Sequence, residues 1–248
     1  MSLDLDAATD RPRAARCLRW LAAQGVRRPS AATLRKMASA MREAGLGPAS
    51  VNRHLSALRP VLRAAGLEPD MPWQREPRGR SRVLTEAEVG LLEAALLPRQ
   101  DVSSLVRFLW ETGMRLGEAL GLSWGDVEGP WATLRRTKNG DTRRVPLSPA
   151  ALAALGRRRG QAVGPWHGTS ESSASHAFRR AREGMDWSRG DREVVMHSLR
   201  HGFASRLVNA QVSLPVIGAI LGHRDFRSTL RYAHPTQEGM ADAVRRLA

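Results

Sequence analysis

The chain has 248 residues, which suffices for one large domain or for two smaller ones that each bury a core. Its 39 Lys and Arg residues against 24 Asp and Glu give a formal net charge of +15, which favours a polyanionic partner. A high-GC genome, which raises the number of arginine codons, or a solvated charged surface would produce the same charge. The single cysteine, Cys17, excludes a disulfide framework and a multi-cysteine zinc site. The sequence contains no run of about 18 apolar residues, which argues against a membrane partner. We therefore expect a cytoplasmic protein.

Residues 11–66 have the periodicity of a small helical bundle with three recognisable elements. Apolar residues recur every three or four positions, as in Val51, Leu55, Leu58 and Leu62. The polar faces carry a series of basic residues, namely Arg35, Lys36, Arg42, Arg53, Arg59 and Arg63. Such a face suits contact with phosphates, and a solvated arginine-rich face has the same sequence.

A segment without apolar period follows, in which prolines alternate with arginines. We interpret residues 1–70 as a helical domain, residues 71–83 as a basic linker and residues 84–248 as a second domain. The basic residues of the linker suit a strap along DNA, while an ordinary exposed connector would have the same composition. Our candidates for DNA binding from both segments are Arg35, Arg53, Arg59, Arg78, Arg80 and Arg82.

The second domain begins with a capping box, Thr85 and Glu88, which predicts a helix that runs to Pro98. The apolar positions between Val102 and Leu109 predict the next helix. Two short, basic, β-branched segments, WATLRRT and TRRVPL, then flank an Asn-Gly pair, which is a strong hairpin signal because type I′ turns require positive φ at both central residues.

Helical patterns return after this hairpin. Ser148 and Pro149 predict the start of a helix. Apolar spacing predicts further helices over residues 214–221 and around Met240, Val244 and Leu247. This C-terminal tail either packs into a neighbouring protomer or folds back on its own domain.

Four stretches now form a recognisable set: ETGMRLGEALGLSWGDV (111–127), TKNGDTRRVPLS (137–148), HSLRHGFAS (197–205) and LGHRDFRSTLRYAH (221–234). In order, spacing and flanking residues they resemble the tyrosine recombinase, or phage integrase, family. Each motif alone would be a weak signal, but four in the correct order seldom coincide by chance. The simpler members without an arm-binding domain are the closer comparison.

The resemblance implies a mainly α fold with a small antiparallel β-hairpin or sheet. A helical, SAM-like core-binding domain would be followed by a catalytic domain with a C-terminal tail helix. The residues matching the family's catalytic positions are Arg115, Lys138, His197, Arg200, His223 and Tyr232. Glu118 matches the acidic position that orients the first arginine, and His201 and His234 match supporting positions.

The residue types suit attack on a phosphodiester for reasons of their own. Two guanidiniums, from Arg115 and Arg200, can stabilise the negative charge of a five-coordinate transition state. A tyrosine phenol has a pKa of about 10 in water, so His197 can accept the Tyr232 proton, and the ammonium of Lys138 can protonate the leaving 5′-oxygen. Because one phosphodiester replaces another, the chemistry requires neither ATP nor a metal, and we predict no cofactor.

These observations predict a site-specific DNA recombinase that acts through a 3′-phosphotyrosine intermediate on double-stranded DNA. The protein would form a homotetramer on two duplexes and be monomeric when free, in the bacterial cytoplasm or encoded by a phage acting there. A DNA-binding regulator or excision factor that uses the same fold without catalysis is the first alternative. A metal-dependent nuclease is the second.

Overall fold

The computed structural model describes residues 10–76, 82–135, 142–185 and 194–223, together with residues 225, 227–230 and 245. The chain divides into two compact units, Met1–Gly79 and Arg80–Ala248. The described part is mainly helical and contains one three-stranded antiparallel sheet, which confirms the predicted fold class. Among these residues no helix is both long and apolar enough to cross a bilayer.

The first unit contains three helices among its described residues: α1 (Asp10–Ala23), α2 (Ala31–Glu43) and α3 (Pro48–Ala64). This agrees with the three elements predicted from the sequence. The side chain of Ser30 caps α2 by accepting a hydrogen bond from the Thr33 amide at 3.3 Å. The apolar faces meet in one cluster that includes Leu34, Met37 and Leu58.

The beginning of the predicted linker packs on this first unit. Met71 is buried in the same apolar cluster. The side chain of Asn52 on α3 accepts a hydrogen bond from the Gln74 amide at 2.8 Å and donates one to the Gln74 carbonyl at 2.9 Å. A single apolar residue among prolines has no periodicity, which is why the sequence pattern did not reveal this packing.

The second unit contains most of the secondary structure. Its helices are α4 (Glu86–Ala95), α5 (Gln100–Thr112), α6 (Leu116–Leu120), α7 (Pro149–Gly156), α8 (Glu171–Glu183), α9 (Met196–Asn209), α10 (Leu214–Leu221) and α11 (Arg227–Leu230). Short 3₁₀ helices cover Leu97–Arg99 and Trp124–Asp126. The strands are β1 (Val127–Glu128), β2 (Trp131–Leu134) and β3 (Arg143–Pro146).

Two of the predicted helix starts in this unit are confirmed. Thr85 and Glu88 form a reciprocal capping box, in which the Thr85 amide donates to Glu88 Oε2 at 2.8 Å. Ser148 Oγ accepts a hydrogen bond from the Ala151 amide at 3.1 Å. Helix α4 ends at Ala95, before the predicted stop at Pro98, because the chain tightens there into the 3₁₀ helix.

The strands on either side of the predicted hairpin are confirmed, while the Asn-Gly turn lies outside the described residues. Ala132 of β2 lies opposite Val145 of β3, and both side chains are buried. Strand β1 pairs with β2 on the other edge and was not predicted, because two residues are too short to show alternation.

The core of the second unit surrounds α5, whose buried residues include Val102, Leu105, Phe108 and Leu109. Helix α9 crosses α5 closely: a Cβ atom added at Gly202 would lie 1.9 Å from Cζ3 of Trp110. Glycine is therefore required where the two helices meet. This contact sets the position of α9, which carries the histidine and arginine motif HSLRH.

Candidate active site

Arg115 lies between the two helices α5 and α6. Gly113 ends α5 in the left-handed conformation with φ of 62°, and Arg115 follows as the residue preceding α6. Its backbone amide donates to Glu118 Oε2 at 2.9 Å, and its Nη1 donates to Glu118 Oε1 at 2.7 Å. Its side chain nevertheless keeps 41% of its surface exposed, so the guanidinium is anchored on one side and accessible on the other.

Glu118 joins Arg115 to a second arginine, Arg143 on β3. Arg143 donates from Nη1 to Oε1 at 2.9 Å and from Nη2 to Oε2 at 2.6 Å, which is a bidentate pair. Burial alone raises the pKa of Glu118, but the hydrogen bonds from Arg143 and from the Arg115 amide outweigh it and lower the pKa to about 2. The carboxylate therefore remains charged at neutral pH.

Arg200 projects from α9 into the interior, with 3% of its surface exposed. Its Nη1 donates to the Gly113 carbonyl and its Nη2 to the Leu221 carbonyl, both at 2.8 Å. These carbonyls lie at the C-terminal ends of α5 and α10, where backbone oxygens lack helical partners and carry partial negative charge. Two helix ends thus compensate the buried guanidinium.

Three guanidiniums bind three successive carbonyls at the end of α10. Arg143 Nε donates to Ile220 at 3.2 Å, Arg200 Nη2 to Leu221 at 2.8 Å and Arg115 Nη2 to Gly222 at 3.4 Å. We call residues 220–222 the carbonyl turn. It therefore brings together arginines from three distant parts of the sequence.

His223 follows the carbonyl turn directly. Its amide donates to the Gly218 carbonyl at 3.0 Å, and its Nδ1 lies 2.8 Å from Oγ1 of Thr229. Thr229 is fully buried. This contact fixes the imidazole and holds the segment three residues before Tyr232 beside it.

The two histidines of HSLRH lie on α9 near Arg200. His197 is exposed in the first turn and His201 is buried one turn later, with the ring centroids 4.7 Å apart and the rings nearly perpendicular. Positions 197, 200 and 201 share one side of the helix because of their spacing. His197 also borders a cavity of about 560 Å³ lined by α8 and the start of α9.

Among the predicted residues, Arg115 contacts Glu118 directly, and Arg115 and Arg200 bind adjacent carbonyls of the turn that His223 follows. His197 and His201 lie on the helix that carries Arg200. Other predictions fall outside the described residues, namely Lys138, Tyr232, His234, Arg78, Arg80 and the tail helix except for residue 245. No group of three or more His, Cys, Asp or Glu side chains that could hold a metal ion occurs in the part of the chain that the structure describes.

The predicted DNA-binding arginines differ in their surroundings. Arg35, Arg53 and Arg59 have exposed side chains on the first unit. Arg82 is partly buried and forms an ion pair with Glu88, the residue that also caps α4. Its charge is therefore compensated within the protein, which the sequence did not indicate.

Arg143 is the residue that sequence analysis missed. It was noted only as part of a basic strand, yet 11% of its side chain is exposed and its guanidinium contacts Glu118 and Ile220. A signal was available in the alternation of β3: Arg143 shares a face with the buried Val145, whereas Arg144 points the other way with 53% of its side chain exposed. An inward-facing arginine requires a partner.

Comparison with known proteins assigns the class. The model of the phage integrase family matches residues 82–238, which include the helices and strands that carry this site. The chain therefore belongs to the phage integrase family.

The relatives agree with this assignment. A tyrosine recombinase XerD of Rhizobium meliloti is 30% identical and covers 89% of this chain and 81% of its own length. The integrase of Escherichia phage P2 is 28% identical over 82% of this chain and 60% of its own. The Tn1549 transposon integrase, solved with transposon right-end DNA, has a TM-score of 0.75 at 20% identity and covers 97% of this chain and 94% of its own. The chain is thus an enzyme of the tyrosine-type site-specific recombinases.

Proposed function

We propose that this enzyme cleaves and rejoins double-stranded DNA at a specific site through a 3′-phosphotyrosine link to Tyr232. The observation that carries the proposal is the carbonyl turn, which holds Arg115 and Arg200 on adjacent carbonyls immediately before His223. Two guanidiniums on adjacent carbonyls, followed in the chain by a histidine, suit the binding of one phosphate group.

In this proposal the two arginines stabilise the transition state. Attack on the scissile phosphorus builds negative charge on its non-bridging oxygens, and guanidiniums meet these oxygens with charge-assisted hydrogen bonds. Backbone carbonyls orient both guanidiniums before the reaction, and Glu118 also orients that of Arg115. His223, fixed by Thr229, is the proposed third donor to the phosphate.

Proton transfer involves three further residues. His197, exposed at the start of α9, accepts the proton of the Tyr232 phenol as its oxygen forms a bond to phosphorus. The bond from phosphorus to the 5′-oxygen breaks, and Lys138 protonates that oxygen. Religation reverses these steps when the 5′-hydroxyl of another strand attacks the phosphotyrosine.

The reaction is proposed to be independent of metal and of ATP. A phosphodiester is replaced by a phosphotyrosine diester, so the bond energy is retained for religation. The charge that a metal pair would otherwise neutralise is met by the guanidiniums of Arg115 and Arg200. We expect cleavage to continue in EDTA; loss of cleavage in EDTA and its return with Mg²⁺ would contradict this part of the proposal.

We propose duplex DNA as the substrate and a homotetramer as the synaptic assembly, with the free protein monomeric. The relative solved with transposon DNA and the exposed arginines of the first unit support the choice of DNA. Arg35, Arg53 and Arg59 would contact its phosphates, and so would Arg78 and Arg80 in the predicted linker, whereas Arg82 is paired with Glu88. The proposed place of action is the bacterial cytoplasm, where such DNA lies.

A nicked suicide duplex tests the proposal. Cleavage beside the nick releases a short fragment that cannot religate, so a covalent protein–DNA adduct accumulates. We expect wild type to form the adduct and Tyr232→Phe to form none. Because Tyr232 is the single tyrosine among the 248 residues, peptide mapping of a phosphotyrosine link has one possible position. Adducts that persist in Tyr232→Phe would overturn the assignment.

A further inference from the structure

We infer that Arg143 is a positioning residue, which sets the orientation of Arg115 toward the scissile phosphate by holding Glu118 and the carbonyl turn in one arrangement. The inference rests on the proposed function of Arg115. It concerns a residue on β3 that has no place in the proposed chemistry itself. Its support is the set of contacts that Arg143 shares with Arg115.

Both arginines bind the same two carboxylate oxygens. Oε1 of Glu118 accepts from Arg115 Nη1 at 2.7 Å and from Arg143 Nη1 at 2.9 Å. Oε2 accepts from the Arg115 amide at 2.9 Å and from Arg143 Nη2 at 2.6 Å. The bidentate contact with Arg143 therefore fixes the plane of the Glu118 carboxylate. Arg115 binds the same two oxygens, so its orientation depends on that plane.

Burial separates the roles of the two arginines. Arg143 keeps 11% of its side chain exposed and Glu118 keeps 8%, whereas Arg115 keeps 41%. The buried pair is shielded from solvent and held by several hydrogen bonds, while the exposed guanidinium would sample other orientations if its carboxylate moved. Arg143 thus belongs to the support and Arg115 to the surface that meets substrate.

The carbonyl turn links the same two residues a second time. Arg143 Nε donates to Ile220, and Arg115 Nη2 donates to Gly222 two residues later. Gly222 has φ of 67°, and a Cβ atom there would lie 2.8 Å from Arg143 Nη1. The turn approaches the Arg143 side chain so closely that only glycine fits, and the next residue is His223.

The chemistry of arginine is required at this position. The three nitrogens Nε, Nη1 and Nη2 serve the Ile220 carbonyl and the two carboxylate oxygens of Glu118. A lysine ammonium would preserve the charge, but its donors do not form the planar fork that spans these acceptors. The substitution Arg143→Lys therefore distinguishes whether Arg143 acts through the geometry of its hydrogen bonds or through its charge alone.

Arg144 supplies a matched control one residue away on the same strand. Its side chain is 53% exposed, lies 3.9 Å from Glu128 and stacks over Trp131 at 5.2 Å. Removing its side chain leaves Glu118 and the carbonyl turn untouched.

The test compares Arg143→Ala, Arg143→Lys and Arg144→Ala in the full chain, with the wild-type adduct on the nicked duplex as reference. Single-turnover cleavage is measured at saturating protein, DNA binding by equilibrium titration and folding by thermal melting. We expect Arg143→Lys to melt near the wild-type temperature and bind DNA within about threefold, yet cleave about 10- to 100-fold more slowly, because misplaced catalytic groups carry penalties of that order. Arg144→Ala should cleave within about twofold of wild type.

A double-variant cycle identifies the route. If Arg143 acts through Glu118, cleavage by Glu118→Gln combined with Arg143→Lys should be no slower than cleavage by the slower single variant. Wild-type cleavage by Arg143→Lys, or losses that multiply in the double variant, would overturn the inference. If wild type itself forms no adduct, the proposed function fails instead, so the two failures are distinguishable.

Discussion

At the scale of single residues, the site depends on how charge is compensated away from water. Glu118 keeps 8% of its side chain exposed and accepts hydrogen bonds from the guanidiniums of Arg115 and Arg143. An unpaired carboxylate at that depth would be unstable in its charged form. The same pairing makes the stability of the second unit depend on pH in a defined direction.

Glu118→Gln should lower the free energy of unfolding at pH 7 by about 3 kcal/mol, since the pKa of Glu118 falls from 4.5 to about 2 on folding and breaking a buried pair costs a similar amount. A carboxyl with a depressed folded pKa contributes stability that is complete above 4.5 and is lost as the pH falls toward about 2. The difference between variant and wild type should therefore shrink by roughly half or more by pH 3. Urea unfolding at pH 7, 5 and 3 measures it.

Glu183→Gln is the control for this measurement. Glu183 has 58% of its side chain exposed and pairs with Arg182 at 3.3 Å, so its loss should change stability by less than about 0.5 kcal/mol. A difference for Glu118→Gln that stays constant from pH 7 to pH 3 would contradict the depressed pKa.

Lys138→Ala tests the proposed proton donor. Ordinary DNA has a poor leaving group at the 5′-oxygen, so cleavage should slow by about 10²-fold or more without the ammonium. A substrate with a 5′-bridging sulfur leaves without protonation and should be cleaved at close to the wild-type rate. Single-turnover rates on the two substrates give the ratio, and an equal loss on both would remove Lys138 from this role.

At the scale of elements, α9 carries His197 and Arg200, and its crossing with α5 determines where these side chains lie. Gly202 lets the helix lie directly on Trp110, whose indole nitrogen donates to Glu86 at 2.7 Å. Arg206, one turn beyond Gly202, stacks over the Trp110 ring at 4.4 Å and donates to the Trp110 carbonyl at 3.1 Å. These contacts fix the height and rotation of α9, and with it the direction of Arg200.

Gly202→Ala should destabilise the second unit by about 1 to 3 kcal/mol, because its Cβ would lie 1.9 Å from Trp110 Cζ3 and one of the two helices must shift. Cleavage should fall as well, since the shift moves Arg200. Thermal melting and single-turnover cleavage measure the two effects.

Gly90→Ala on α4 is the matched control, because no atom lies within 4 Å of the added Cβ. Alanine in an open helical position should stabilise by about 0.5 to 1 kcal/mol. If Gly202→Ala behaved like Gly90→Ala, the close packing of α9 on α5 at Gly202 would not determine the position of α9.

At the scale of the whole molecule, the net charge of +15 predicts that electrostatic attraction contributes strongly to the affinity for DNA. Phosphate contacts release counterions, so affinity for DNA falls steeply with salt. The exposed arginines Arg35, Arg53 and Arg59 lie on the first unit, whereas the carbonyl turn lies in the second. Affinity and chemistry can therefore be altered separately.

Combining Arg35→Gln with Arg53→Gln should reduce the slope of log Kd against log salt by about 2, if each contacts one phosphate. The rate of cleavage at saturating protein should remain unchanged. Fluorescence titrations between about 50 and 200 mM salt, a range that costs about 10³-fold or more for six to ten phosphate contacts, measure the slope.

Arg13→Gln is the control, because Arg13 is already paired with Asp10 at 2.9 Å. Its slope should match that of wild type. A slope unchanged in the double variant would exclude these two arginines from the DNA contact.

Much of the local structure followed from local signals. The capping residues Thr85 and Ser148 and the apolar spacing of α3 and α5 predicted elements that the structure contains. Such signals can be recognised in the sequence because capping and amphipathicity involve residues within one or two turns of each other. The beginning of the linker and strand β1 were missed, because neither has enough residues to form a pattern.

The sequence by itself determined the family, the order of its four motifs and the residue types that the chemistry requires. Only the tertiary structure decided that Arg143 shares Glu118 with Arg115, and that three guanidiniums meet successive carbonyls at residues 220–222. The physical reason for the second arrangement is that its acceptors are backbone oxygens freed at the end of α10. Every residue type has a backbone carbonyl oxygen, so the sequence does not indicate which of these oxygens a distant arginine will bind.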